Sequence, residues 1–156
     1  NRYFSKQVDV IFRHGGTLDK FIGDAIMACW GAPIDDPDHA KHAVAAALDM
    51  ADTLQAFKRE LGEADADFDV GIGINSGPAV VGLIGSDARR EYTAIGDTVN
   101  VASRIEGMTK GVARILVSEE TMRRCGDVFD FVDRGSYKAK GRTQEIRLFE
   151  PGRKDS

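Results

Sequence analysis

The most constraining feature of the 156-residue chain is the stretch 36–61. Ala40, Ala43, Val44, Ala47, Leu48, Ala51, Leu54, Phe57 and Leu61 recur there at three- and four-residue spacing, which is the apolar stripe of one long helix. Asp36–Pro37 marks its start. The residue before a proline is pushed out of the helical region, as an N-cap should be, and proline suits the first turn. Around this helix the pattern is strand-like. Residues 17–22 and 25–30 are short apolar runs joined by Gly23–Asp24, a two-residue turn signal, so they form a hairpin with Asp24 at its tip. Phe68, Val70, Ile72 and Ile74 alternate with Asp69, Gly71, Gly73 and Asn75, as in a half-buried strand.

The rest of the chain continues the mixture. Residues 1–14 read as a helix with Phe4, Val8, Ile11 and Phe12 on one stripe, ended by Gly15–Gly16. Strands are expected at 79–84, 91–95 and 114–117. Asp97 caps a helix to about Met108, with Val99, Ala102, Ile105 and Met108 inward, and Ser118 caps a short helix to Arg124. Residues 128–138 and 144–149 pair as a closing hairpin, and 151–156 form a disordered polar tail. The fold class is therefore α+β, an antiparallel-rich sheet with helices on one face.

Composition narrows the function classes. With 42% hydrophobic residues and 29% charged, the chain has a core and is not disordered. The net charge of −4 argues against a general nucleic-acid surface. Two cysteines, Cys29 and Cys125, exclude a disulfide framework and a four-ligand zinc site. No apolar run approaches a membrane span. No signal peptide is visible, so a cytoplasmic setting is the default, with membrane attachment through a preceding region left open.

Four sets of residues could carry chemistry. Asp24, on a rigid turn, suits a hard divalent ion and its phosphates, or it merely completes the turn. Asn100 and Arg104 share a helix face and could clamp a sugar oxygen and a phosphate, or they are an ordinary polar face. Lys138, Lys140 and Arg142 could hold a polyphosphate, or they form a solvated turn. Lys20 lies in an apolar strand and either snorkels out of it or reads a base edge. His39 and His42 lack a third ligand. Gly71, Gly73 and Gly77 do not have the dinucleotide-binding spacing, and no P-loop is present.

Read together, three segments carry a resemblance. Lys20-Phe-Ile-Gly-Asp24-Ala-Ile-Met-Ala, Gly71-Ile-Gly-Ile-Asn-Ser-Gly77 and Tyr92-Thr-Ala-Ile-Gly-Asp-Thr-Val-Asn100-Val-Ala-Ser-Arg104-Ile-Glu resemble the class III nucleotidyl cyclase catalytic domain, in order and in separation. The likeness covers about residues 1–150, expected to be a catalytic domain that is incomplete at its N-terminus. It implies a ferredoxin-like, palm-like fold working as a head-to-tail homodimer. It implies conversion of a nucleoside triphosphate to a 3′,5′-cyclic monophosphate and pyrophosphate, with two Mg²⁺ or Mn²⁺ ions. By position, Asp24 would be the second of two metal aspartates. Asn100 would orient the ribose, Arg104 would stabilise the transferring phosphoryl group, and Lys140 would grip the terminal phosphates. The metal carboxylates and the Asn/Arg pair would come from opposite chains.

Lys20 and Thr93 match the family's base-contacting pair. Guanylate cyclases of the family usually carry Glu and then Cys or a small residue there. A lysine donor and a threonine hydroxyl fit the adenine edge better than guanine, whose N1–H is a donor, so the expected substrate is ATP and the expected enzyme an adenylate cyclase. Threonine at the second position is similar to the bicarbonate-responsive bacterial branch. Guanylate cyclase and a non-catalytic cyclase-homology module are the alternatives; a diguanylate cyclase would need a GG[DE]EF-like turn where Phe21-Ile-Gly-Asp24 stands. The family's first metal aspartate sits on a strand before the first helix, and the sequence begins within that helix without a start signal. The expectation is that this strand and part of the first helices, roughly 30–45 residues, precede residue 1, together with an upstream regulatory domain. The 156 residues alone would then have little or no activity.

Overall fold

The structure, a computed structural model, describes residues 2–62, 69–86, 88–138 and 144–154. In chain order the elements are α1 (Arg2–Arg13), β1 (Thr17–Ile22), β2 (Ala25–Cys29), α2 (His39–Leu61), β3 (Ile72–Ile74), β4 (Val80–Ser86), β5 (Arg89–Ile95), α3 (Asp97–Gly107), β6 (Ile115–Ser118), α4 (Glu119–Arg124), β7 (Phe129–Lys138) and β8 (Glu145–Arg153). The α+β class expected from the sequence is the one observed. No helix of the described residues is long and apolar enough to cross a membrane.

The largest sheet has the order β3-β6-β8-β7. Its β3–β6 pair is parallel, and the other two pairs are antiparallel. Among the described residues, β1–β2 and β4–β5 are separate two-stranded hairpins, so the single sheet expected from the sequence is divided.

Helices also cover both faces of the central strand rather than one. Ile115 and Val117 pack with Ala40, Val44, Ala47 and Leu48 of α2. Leu116, pointing the other way, packs with Val101 and Ile105 of α3. All four residues of β6 are buried, as an apolar run covered on both sides should be.

Four local expectations need correction. The buried stripe of α1 is Tyr3, Gln7, Val10 and Ile11, one residue round from the expected one, and Phe12 is exposed. Gln7 is tolerated there because its amide donates to Tyr3 Oη at 2.9 Å and to the Met50 carbonyl at 3.1 Å. The helix α2 starts at His39, not at Pro37: Asp36 instead accepts from the Asp38 amide at 2.9 Å and pairs with His42 at 2.6 Å, an Asx turn that delays the helix. In α3, Val101 is buried in place of Val99, because the helix packs on Leu116 and Leu148. Finally, β8 runs to Arg153 through Pro151, which is buried opposite Phe131. Arg153 is held by Asp49 at 2.5 Å and Asp52 at 3.0 Å, so the segment expected to be a tail is ordered that far.

The contact between β3 and α3 is set by one glycine. A Cβ on Gly73 would lie 2.3 Å from the Glu106 amide nitrogen and 2.8 Å from the Ala102 carbonyl oxygen. Only a residue without a side chain lets the strand backbone approach the helix backbone this closely.

Candidate active site

The β1–β2 hairpin carries two of the expected residues. Ile22 pairs with Ala25 across the turn, which leaves Gly23 at φ 58° and Asp24 exposed at the tip. Further back the ladder slips. Leu18 pairs with Ala28 and Lys20 with Met27, so Asp19 is the extra residue of a β-bulge. Bulges re-aim side chains and recur beside active sites.

This bulge turns Asp19 inward, to 3% side-chain exposure. Its Oδ2 accepts a hydrogen bond from the Thr93 hydroxyl at 3.0 Å and another from the Ala94 amide at 3.0 Å. Its Oδ1 is buried without a hydrogen-bond partner; the Lys20 ammonium lies 3.9 Å from it. Lys20 also donates to Glu91 at 3.2 Å. Lys20 and Thr93, distant in sequence, are thus brought together around one carboxylate. Nothing in the sequence analysis pointed to Asp19. The available signal was an acidic residue inside an apolar strand, where aspartate is disfavoured. Burial and the charge of Asp19 push the nearby Cys29 thiol up from its ordinary pKa.

Asn100 and Arg104 lie one turn apart on α3. The helix begins at Gly96, whose φ of 131° lets the chain turn sharply out of β5. Asn100 is exposed and Arg104 half-buried. The groove onto which Asp24 opens has a volume of about 1630 Å³ and is lined from α3 by Val99, Ala102 and Ser103, not by Asn100 or Arg104. Asn100 sits 200° round the helix from Ala102 at 100° per residue. In one chain, Asn100 and Arg104 are thus absent from the lining of the groove that Asp24 shares.

That groove runs between β2 and β3, and Ala40, Ala43 and Ala47 of α2 also line it. Lys138 ends β7 and is exposed. Lys140 and Arg142 lie outside the described residues. No group of three or more His, Cys, Asp or Glu that could hold a metal occurs among the described residues. Asp24 is a hard oxygen donor, and Mg²⁺ takes one or two carboxylates plus substrate oxygens. Its setting fits one corner of such a site.

Residues 3–149 match the family described as the adenylate and guanylate cyclase catalytic domain. The chain belongs to the class III nucleotidyl cyclases. It is 40% identical over 152 residues to adenylate cyclase 1 of Rhizobium meliloti, covering 96% of this chain and 23% of that protein. It is 39% identical over 155 residues to the terminal-differentiation-specific adenylate cyclase of Dictyostelium discoideum, covering 96% of this chain and 7% of that protein. The chain thus spans under a quarter of either relative. Among solved structures, the adenylyl cyclase CyaB from P. aeruginosa superposes with a TM-score of 0.87 at 30% identity, covering 99% of this chain and 81% of that one. The guanylyl cyclase Cya2 superposes at 0.86 and 36% identity, covering 96% and 76%. The cyclase architecture expected from the sequence is therefore confirmed, and the chain belongs to the cyclase catalytic domain family.

Proposed function

We propose that this cyclase domain acts on ATP, forming 3′,5′-cyclic AMP and pyrophosphate. The observation that carries this reading is the polarity of the Lys20–Asp19–Thr93 cluster. Lys20 can only donate, which suits adenine N1. The Thr93 hydroxyl, itself buried in this chain, gives its proton to Asp19 at 3.0 Å, which leaves its lone pairs as acceptors, the polarity that suits the adenine N6 amino group. Guanine offers a donor at N1 and an acceptor at O6, mismatched at both positions.

The chemistry is an in-line displacement. The ribose 3′-oxygen bonds to the α-phosphorus, the bond to pyrophosphate breaks, and the hydroxyl proton is lost. Arg104 donates to the α-phosphoryl oxygens, where charge rises in the transition state. Asn100 hydrogen-bonds the ribose and fixes the line of attack. Lys140 pairs with the terminal phosphates. Asp24 would ligate a Mg²⁺ or Mn²⁺ ion, which would supply a Lewis acid at the phosphoryl oxygens.

In a homodimer a second copy can present Asn100 and Arg104 to the Asp24 of the first, which lines a groove that they do not. Phe21, Ile22, Val80, Leu83, Tyr92 and Ile95 are large apolar side chains left exposed on β1, β4 and β5. A surface of this kind belongs at an interface. The rhodopsin-guanylyl cyclase catalytic core with converted specificity was solved with ATPαS, so substrate choice is adjustable on this fold.

The test is turnover by the full-length protein with ATP or GTP and Mn²⁺. Cyclic AMP as the dominant product is expected. A preference for GTP would refute the base assignment, and no turnover of either would refute catalysis in favour of a non-catalytic module. The same assay with and without bicarbonate at fixed pH tests bicarbonate response.

A further inference from the structure

We infer that Asp19 is a positioning residue for base selection: its buried carboxylate holds the Thr93 hydroxyl as an obligatory acceptor and thereby excludes guanine. The inference rests on the ATP reading above. A hydroxyl is chemically ambiguous, because it rotates to donate or to accept. Left free, Thr93 could turn its proton toward guanine O6 and relieve half of the guanine mismatch. Residue type at position 93 is therefore insufficient to reject GTP.

The structure removes the ambiguity. Asp19 Oδ2 takes the Thr93 proton at 3.0 Å, and the Ala94 amide donates to the same oxygen at 3.0 Å. Because the Ala94 N–H cannot reverse its direction, an acceptor atom must face this spot. The alternative acceptor for Thr93, the Ala94 carbonyl, is longer at 3.4 Å. The bulge at Asp19 is what delivers the carboxylate to β5. Its other oxygen is buried without a hydrogen bond, 3.9 Å from the Lys20 ammonium. A buried, half-satisfied carboxylate is costly to keep for stability alone. Here it does something an apolar residue could not, which is to fix the direction of a neighbour's proton.

The test uses the full-length enzyme and the ratio of kcat/KM for ATP to that for GTP. Asp19→Ala frees the hydroxyl and should lower this ratio about tenfold, the size of one hydrogen-bond mismatch. Asp19→Asn keeps size and an acceptor oxygen; the Ala94 amide disfavours the flipped amide, so the ratio should stay within about threefold of wild type. Thr93→Val removes the hydroxyl, and adding Asp19→Ala to it should move the ratio no further. A purely structural Asp19 would lower activity on both nucleotides and leave the ratio unchanged, which overturns the proposal. So would a ratio that falls equally with Asn and Ala, or one that Asp19→Ala still shifts in the Thr93→Val background. A wild-type enzyme that prefers GTP overturns the ATP reading itself, and the proposal with it. An ATP-selective wild type whose selectivity survives Asp19→Ala overturns the proposal alone.

Discussion

Gly73→Ala should damage stability and catalysis together, although the residue touches no nucleotide. The added Cβ would sit 2.3 Å from the Glu106 nitrogen and 2.8 Å from Glu106 Cα, where ordinary contacts are 3.4 Å or more. The obstacle is helix backbone, so no side chain can swing aside. Strand β3 and helix α3 must part by about 1 Å, an overpacking that costs about 3 kcal/mol. For a domain of this size that lowers Tm by about 6–12 °C. Because α3 carries Asn100 and Arg104, the same displacement misplaces both, and about 100-fold in kcat is the expected loss. Gly107→Ala is the control. It lies at the end of the same helix with nothing within 4 Å of its would-be Cβ. Alanine there should raise Tm slightly, by about 0.5–1 kcal/mol of helix propensity. The measurements are thermal unfolding of each variant and steady-state kinetics of the full-length enzyme. A Gly73→Ala protein with wild-type Tm and kcat would show that β3 and α3 slide past each other freely, and the close-packing argument would be wrong.

Asp24→Ala and Arg104→Ala should each abolish turnover in the full-length enzyme, and mixing the two should restore about a quarter of wild-type activity. Half the dimers formed at random are mixed, and each has one intact site of two; no recovery on mixing would refute shared sites. Asp49 couples α2 to His14 at 2.6 Å and to Arg153 at 2.5 Å. Desolvation opposes ionisation, but these partners outweigh it and hold the carboxyl below its usual pKa. The stabilisation is therefore complete above the unfolded value of about 4 and is lost as pH falls through the folded one. Asp49→Asn should destabilise at pH 7, by under about 1 kcal/mol because the pair is partly exposed, and by less as the pH is taken below about 4; a deficit that does not shrink with falling pH would contradict this. Leu116→Ala, fully buried against Val101 and Ile105 of α3, should cost about 2–5 kcal/mol in urea unfolding.

The elements that were legible in the sequence are those whose pattern is local. The hairpin 17–30 has its turn written in Gly23–Asp24, and β1 matches its expected ends. Ser118 caps α4 through the Thr121 amide at 3.2 Å, as a serine before a short helix should. Most of the apolar stripe of α2 is buried. Errors arise where tertiary partners decide. Gln7 looks polar and reads as outward, yet two hydrogen bonds admit it to the core. Pro151 looks like a terminator, yet β6 pairs with β8 only through Phe149 and Leu148, so its missing N–H breaks no recorded pair there. Gly71 and Gly73 read as a failed nucleotide loop, while their reason lies in the distant Thr109 and in Ala102 and Glu106 of α3.

The candidate site divides along the same line. Lys20, Asp24, Asn100 and Arg104 can be singled out one at a time, because each has a functional group suited to a nucleotide, whereas Thr93 enters only through the family resemblance. What such a search misses is the group that acts on another group. Asp19 faces away from solvent, and its type alone suggests no role. Yet the meaning of Thr93 depends on it. A serine or threonine hydroxyl specifies a base only when a neighbour has already taken its proton, and that neighbour is supplied by a strand seventy-odd positions earlier, through a bulge that no residue pattern announces. On the proposed reading, substrate choice in this domain is a property of a hydrogen-bond chain, Ala94 N–H and Thr93 O–H into Asp19. On that reading, changing Thr93 changes which atoms meet the base, and changing Asp19 changes which way the Thr93 proton points, which suffices to alter which base is accepted.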